Sequence, residues 1–195
     1  MLIGLTGMSG AGKSTVAALL GKKGFRIIDC DALVHGLYED ARYARLIEDA
    51  FGTAYVSGGA VDRKKLGALV FSDPAALKKL NETVSPFIMN AVVECIETAR
   101  RGEISTVLDA PLLFEYGLER SCDCVIGVVT DPETAVKRLS LRDGKGEDEL
   151  RARLRAQHGE AFFRERCDYV LENAGNADAL ARALDAVLEK IYIYR

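Results

Sequence analysis

Residues 2–15 read LIGLTGMSGAGKST, and this stretch decides the fold. Leu2 to Thr6 is a short apolar run of the kind that makes a buried strand. It ends in a glycine-rich turn, and apolar residues resume at helical spacing from Thr15 to Leu20. Gly7, Gly12, Lys13 and Ser14 satisfy G-x-x-x-x-G-K-[ST], the pattern of a phosphate-binding loop between a strand and a helix. Such a loop turns its backbone N–H groups inward at the start of the helix, where they hold phosphate oxygens. Gly10, Ala11 and Gly12 make the turn, the glycines because a Cβ would block the angles and close approaches it needs. Lys13 is expected on the β and γ phosphates, Ser14 is expected to offer its hydroxyl to Mg²⁺, and Thr15 is expected to start the helix. A dinucleotide fingerprint fails, because the glycines run G-x-x-G-x-G and the Lys-Ser pair would have no role.

Outward from the loop, Gly24 breaks the first helix, and FRIID, ending at Asp29, reads as a second buried strand. Asp31 is the expected N-cap of the next helix. From Tyr38 to Arg101 the patterns are helical, punctuated by Gly52, Gly58-Gly59, Pro74 and Pro86, with a weak strand candidate at Ala54 to Ser57. Strands return with STVLDA at Ser105 to Ala110 and CVIGVVT at Cys124 to Thr130. Pro132 sits at the first turn of a helix to Asp143, Gly144 and Gly146 interrupt, and a charged helix is expected from Glu147 to Arg166. DYVLEN at Asp168 to Asn173 supplies a fifth strand, and Ala177 to Tyr194 a closing amphipathic helix.

The expected fold is therefore α/β, a five-stranded parallel sheet flanked by helices, in one domain. Its core takes residues 1–37, 104–137 and 167–195, with a helical insertion at 38–103 and a helical lid at 138–166. In such sheets ligands bind beyond the carboxyl ends of the strands. Thr6-Gly7, Asp29 with Asp31, Asp109 and Thr130-Asp131 all follow strands, so they are expected to gather on one edge.

Composition sets limits. A chain of 195 residues with 49% hydrophobic content has enough apolar material for a substantial core. A net charge of -3 provides no overall basic field for a nucleic acid. No apolar run approaches a membrane span, and the start MLIGLTG lacks the layout of a signal peptide, so a soluble cytoplasmic protein is expected. A monomer is the working expectation, with the oligomeric state left open by the sequence. Cys30, Cys95, Cys122, Cys124 and Cys167 are odd in number and lack metal-site spacing, which predicts reduced, buried or half-buried thiols. His35 and His158 have no partner pattern and read as surface or capping residues.

Phosphate loops also serve GTPase switches and motor ATPases, so the loop alone leaves the reaction open. No N-K-x-D for guanine occurs, and the D-x-x-G copies at Asp49 to Gly52 and Asp143 to Gly146 read as helix endings. A short chain with a helical insertion fits a small kinase.

LTGMSGAGKSTVA is followed by IIDCDALVH, which holds a D-x-D, then by VDRKKLGALVF and LKKLNETVSPFI. LDAPLLFEYGL, DPETAVKRLSLRD, Gln157 and DYVLENAG come after them. With these stretches in this order, the sequence resembles the dephospho-CoA kinases over nearly its whole length, and IIDCDALVH is similar to that family's D-x-D strand. The family usually has His-Pro at Ser85-Pro86 and Gln at Ala135. The resemblance implies transfer of the γ-phosphoryl of ATP to the ribose 3′-hydroxyl of dephospho-CoA, with Mg²⁺, giving CoA and ADP.

Asp31 matches the family's proposed base, with helix capping as its alternative role. Asp29 reads as structural. Asp109, at a strand end, suits a water-mediated Mg²⁺ contact, acceptor positioning or turn capping. Arg138 and Arg142 share a helix face and would cover the γ-phosphate as the lid closes. Their other reading is a solvated face with Asp143, Glu147, Asp148 and Glu149 for partners. Pro111, Leu112, Glu115 and Arg63 match acceptor-binding positions, although Leu112 and Leu113 suit a core equally well. Gln157 and Asn173 match the family without a mechanism. A kinase with another acceptor, or an ATP-binding regulatory protein without turnover, stays open at this point.

Overall fold

The computed structural model describes residues 1–193. The chain divides into two compact units, Met1–Ile28 with the residues from Ala99 onward, and Asp29–Thr98. The first elements are β1 (Leu2–Gly7), α1 (Lys13–Lys22) and β2 (Arg26–Asp29). There follow α2 (Cys30–Leu37), α3 (Ala41–Phe51), the short strands β3 (Val56–Ser57) and β4 (Ala60–Val61), α4 (Arg63–Ser72) and α5 (Pro74–Arg101). Then come β5 (Thr106–Asp109), β6 (Cys124–Val129), α6 (Pro132–Asp143), α7 (Glu147–Arg155), α8 (Glu160–Arg166), β7 (Tyr169–Glu172) and α9 (Ala177–Ile193). The part of the closing helix expected at Tyr194 lies outside the described residues.

In the first unit the five strands take the order β2-β5-β1-β6-β7. β5, β1, β6 and β7 pair in parallel, with Leu5 opposite both Asp109 and Ile126. Ile3, Leu5, Val107, Ile126 and Val128 have no exposed surface, because helices cover both faces of a parallel sheet, and this is why the strands read as unbroken apolar runs. Val16 and Leu20 of α1 join Leu180 and Leu184 of α9 in the same core. Two aspartates fix the strand starts, Asp123 accepting from the Leu2 N–H and Asp168 from the Val125 N–H, each at 2.7 Å. The carboxyl ends of β1, β5 and β6 therefore come together with Gly7, Asp109 and Val129 at their tips.

Two helix boundaries differ from expectation in this unit. α1 begins at Lys13 rather than Thr15, with Gly12 as its N-cap, so Lys13 and Ser14 occupy the first turn, whose N–H groups have no partner inside the helix. The single helix expected from Glu147 to Arg166 is broken between Arg155 and Glu160, with Gly159 as the N-cap of α8. Glycine costs about 1 kcal/mol against alanine inside a helix, and unwinding here lets the His158 ring stack on Phe162 at 3.7 Å between centroids.

The second unit has its own core of Tyr43, Ala44, Ile47, Val61, Leu66 and Val84. Tyr43 meets Tyr38 and Phe87 edge-on at 5.4 and 5.7 Å. The weak strand at Ala54 to Ser57 becomes the hairpin β3-β4, whose turn residues Gly58 and Gly59 both have positive φ. Asp31 is not the N-cap of α2. Asp29 takes that place and accepts from the Ala32 N–H at 2.9 Å, which gives Asp29 the structural task expected of it. Pro86 was expected to interrupt the chain but lies inside α5. A mid-helix proline costs about 3 kcal/mol, and the packing of Val84, Phe87 and Ile88 into the core around it outweighs that cost.

All five thiols are half-buried and none forms a disulfide. Burial pushes the Cys122 and Cys167 thiols up to about 12, so both stay neutral and unreactive at ordinary pH.

Candidate active site

The phosphate loop is held from below by backbone bonds. The Met8 N–H donates to Val128 O at 3.0 Å, and the Ala11 N–H turns back to Met8 O at 3.1 Å. Gly10 and Gly12 have φ of 78° and 96°, the left-handed region that costs a residue with a Cβ about 1–2 kcal/mol. Space demands glycine as well. A Cβ at Gly10 would stand 2.9 Å from Ala135 O, and one at Gly12 would stand 2.4 Å from Asn173 Nδ2. Ala135, where the resembling family carries Gln, is fully buried against the loop.

Lys13 Nζ is paired with Asp109 Oδ1. The carboxylate, at the end of β5, has a side chain 8% exposed. The segment that follows is tied to β1, because the Ala110 N–H donates to Leu5 O at 3.0 Å and Thr6 Oγ1 donates to Pro111 O at 3.3 Å. Ser14, in the first turn of α1, and Asp109, at the end of β5, offer hard oxygen donors, the donor chemistry that Mg²⁺ prefers. Among the described residues no group of three or more His, Cys, Asp or Glu could hold a metal ion. A magnesium carried by phosphates needs just one or two protein oxygens, so Ser14 and Asp109 fit that ion better than an all-protein cage would.

The two arginines behave differently. Arg138 reaches the loop, one guanidinium nitrogen lying 3.5 Å from Gly10 O and another 3.5 Å from Asn173 Oδ1. Arg142 is exposed and engages its neighbour Asp143 through two bonds, at 2.6 and 3.0 Å. That contact holds the Asp143 carboxyl below the usual carboxylate range. Asp131 caps α6 by accepting from the Thr134 N–H, which holds its carboxyl low in the same way. Asn173, for which the sequence suggested no task, lies against the loop and donates to Ala11 O at 2.7 Å.

A cavity of about 320 Å³ opens beside Gly7, Met8 and Ser9, walled by Pro111, Leu112, Glu115, Gln157, His158 and Phe163. The structure separates the two leucines: Leu113 is fully buried core, whereas Leu112 is 49% exposed and faces the cavity. His158 is exposed, as expected, but it also has partners. Its Nε2 lies 3.4 Å from Glu115 Oε1, and its ring lies on Phe162. Sequence reasoning missed it because a lone His after Gln157 carries no spacing, although the following Gly159 signals a bend that could have placed it.

In the second unit, Asp31 lies exposed in the first turn of α2. Arg63 begins α4 and is held on two sides, its NH1 donating to His35 Nε2 at 2.8 Å and its guanidinium lying 4.7 Å from the centre of the Tyr38 ring. A guanidinium has only donors, so His35 Nε2 accepts. His35 therefore has a partner that its sequence neighbourhood did not announce.

Comparison with known proteins agrees with this architecture. The family model for dephospho-CoA kinase matches residues 1–179. A curated dephospho-CoA kinase from Deinococcus radiodurans is 40% identical over 193 residues, covering 98% of this chain and 92% of the relative. Among solved structures, one from Thermus thermophilus is 41% identical with a TM-score of 0.76, covering 97% of both chains. The dephospho-CoA kinase from Campylobacter jejuni shares the fold at a TM-score of 0.70 and 22% identity, covering 97% of this chain and 96% of its own.

Proposed function

The chain belongs to the dephospho-CoA kinase family, and from that premise we propose how its own residues transfer the γ-phosphoryl of ATP to the ribose 3′-hydroxyl of dephospho-CoA. The observation that carries the reading is the glycine-built loop whose Lys13 is held by the buried Asp109. Gly10 to Thr15 cradle the phosphates with backbone N–H groups, and Lys13 leaves Asp109 for the β and γ oxygens. Ser14, together with Asp109, would hold Mg²⁺, and the ion would supply neutralisation of phosphate charge.

In the transfer, the bond between the γ phosphorus and its bridging oxygen breaks and a bond to the 3′-oxygen forms. The electron pair leaves with ADP. Asp31 accepts the hydroxyl proton, a task left to it because Asp29 caps the helix. Arg138 and Arg142 answer the charge that spreads over the γ oxygens, Arg138 from its place on the loop and Arg142 after exchanging Asp143 for phosphate. Asp109, Pro111, Leu112, Glu115 and Arg63 receive the acceptor, and residues 138–166 close as a lid. The proposed working form is a monomer in the cytoplasm, and among the described residues no helix is long and apolar enough to cross a membrane.

An ADP-release assay across dephospho-CoA, AMP, GMP and shikimate tests the acceptor. Turnover is expected with dephospho-CoA, and its absence there would overturn the reading. Proteolysis near residues 143–147 is expected to slow when ATP is added; an unchanged rate would remove the lid.

A further inference from the structure

We infer that Asn173 is a positioning residue for the phosphate loop, acting on the nucleotide through the peptide that joins Ala11 to Gly12. Asn173 follows β7, is 7% exposed, and has its backbone pinned on two sides. Its N–H donates to Val129 O at 2.8 Å, and its C=O accepts from Thr130 Oγ1 at 2.9 Å. Anchored to the ends of β6 and β7, the residue extends its amide to the loop. Nδ2 donates to Ala11 O at 2.7 Å, and Oδ1 lies 3.5 Å from the Arg138 guanidinium that also approaches Gly10 O.

Ala11 is fully buried, so the amide satisfies a carbonyl shut away from solvent. Among the described residues no peptide bond is cis, and in a trans peptide the C=O and the N–H point in opposite directions. Turning Ala11 O onto Asn173 therefore turns the Gly12 N–H to the other side, at the N-terminus of α1, where a phosphate oxygen is received. The absence of a Cβ at Gly12, which would stand 2.4 Å from Nδ2, is what lets the amide lie flush on the loop. One side chain thus sets the direction of a phosphate-binding N–H and orients Arg138 beside it.

The inference rests on reading the loop as an ATP site, and the test separates the two. ATP affinity is measured by calorimetry, together with kcat and the KM of each substrate, on the full chain and on Asn173→Ala, Asn173→Asp and Thr130→Val, well below their unfolding midpoints. Asn173→Ala is expected to weaken ATP about tenfold in both Kd and KM, the size of one lost hydrogen bond, with the KM of dephospho-CoA unchanged. Asn173→Asp has the same shape but sets a carboxylate oxygen against Ala11 O, so it is expected to bind ATP more weakly than Asn173→Ala. Thr130→Val adds no charge and removes the hydroxyl that holds the Asn173 carbonyl, and is expected to weaken ATP about threefold. ATP affinity and KM within twofold of the unaltered chain in both Asn173→Ala and Thr130→Val would overturn the inference, as would the reverse order of the two Asn173 variants. If Asn173→Ala does not fold, Thr130→Val decides alone. Failure of the unaltered chain to bind ATP would instead sink the functional reading.

Discussion

The phosphate loop and the unit Asp29–Thr98 hold their chemistry by different means. In the loop the backbone does the holding: Gly10 and Gly12 take left-handed angles, Met8 and Ala11 are tied by main-chain bonds, and Lys13 follows directly in the first turn of α1. In Asp29–Thr98 side chains do it, with Arg63 shared between His35 and the Tyr38 ring and Asp31 exposed in the first turn of the helix that Asp29 caps. A backbone site admits few residues at fixed spacing. A side-chain site on exposed helices can be built from many combinations, and its spacing says little.

The strongest way to break this contrast is Lys13→Ala. Turnover is expected to fall about 10³-fold, with a loss of ATP affinity seen by calorimetry. Unchanged affinity would show that the backbone alone holds the phosphates and would sharpen the contrast further. Asp31→Asn comes next, with turnover down about 10²-fold and ATP affinity kept; near-normal turnover in the ADP-release assay would strip Asp31 of its role as base.

Gly10→Ala tests the backbone directly. Its Cβ would stand 2.9 Å from Ala135 O at a φ of 78°. The left-handed strain of about 1–2 kcal/mol should lower the unfolding midpoint by roughly 2–8 °C for a chain of this size, with weaker ATP binding alongside. A midpoint and affinity equal to the unaltered chain would mean that the loop relaxes freely.

The smallest effect belongs to Asp40, the N-cap of α3. The Arg42 guanidinium beside it lowers its carboxyl to about 2 from 3.8, so the stabilisation is fully present above pH 3.8 and is lost as pH falls toward 2. The gap in unfolding midpoint between the unaltered chain and Asp40→Asn should therefore be small and constant above pH 3.8 and close below it. A gap that persists at pH 2 would assign the effect to something other than this ionisation.

Legibility in the sequence followed the same division. The strands of the sheet and the ends of α6 were readable because burial on both faces leaves apolar runs and because Pro132, Asp143 and Gly144 punctuate the helix in ways the backbone requires. Pro86 and Gly159 misled in opposite directions. Around Pro86 core packing overrode a local breaker, whereas Gly159 broke a helix whose charged pattern ran on through it. Asp29 and Asp31 were confused as caps because both residues suit that position and the end of β2 decides between them. The contacts of Asn173 with the loop, of His158 with Glu115 and of Arg63 with His35 were invisible because the partners lie far along the chain or on other helices.

The contact between Lys13 and Asp109 has one more consequence. Before any nucleotide arrives, the lysine charge is already answered by a carboxylate from the neighbouring strand. An incoming anion must therefore evict a tethered rival. Sulfate, inorganic phosphate or a nucleoside monophosphate has less charge to spend on that exchange than a triphosphate has. On the proposed reading, in which Lys13 meets the nucleotide phosphates, Asp109 would set a threshold of admission, holding back small anions that a lone lysine would collect.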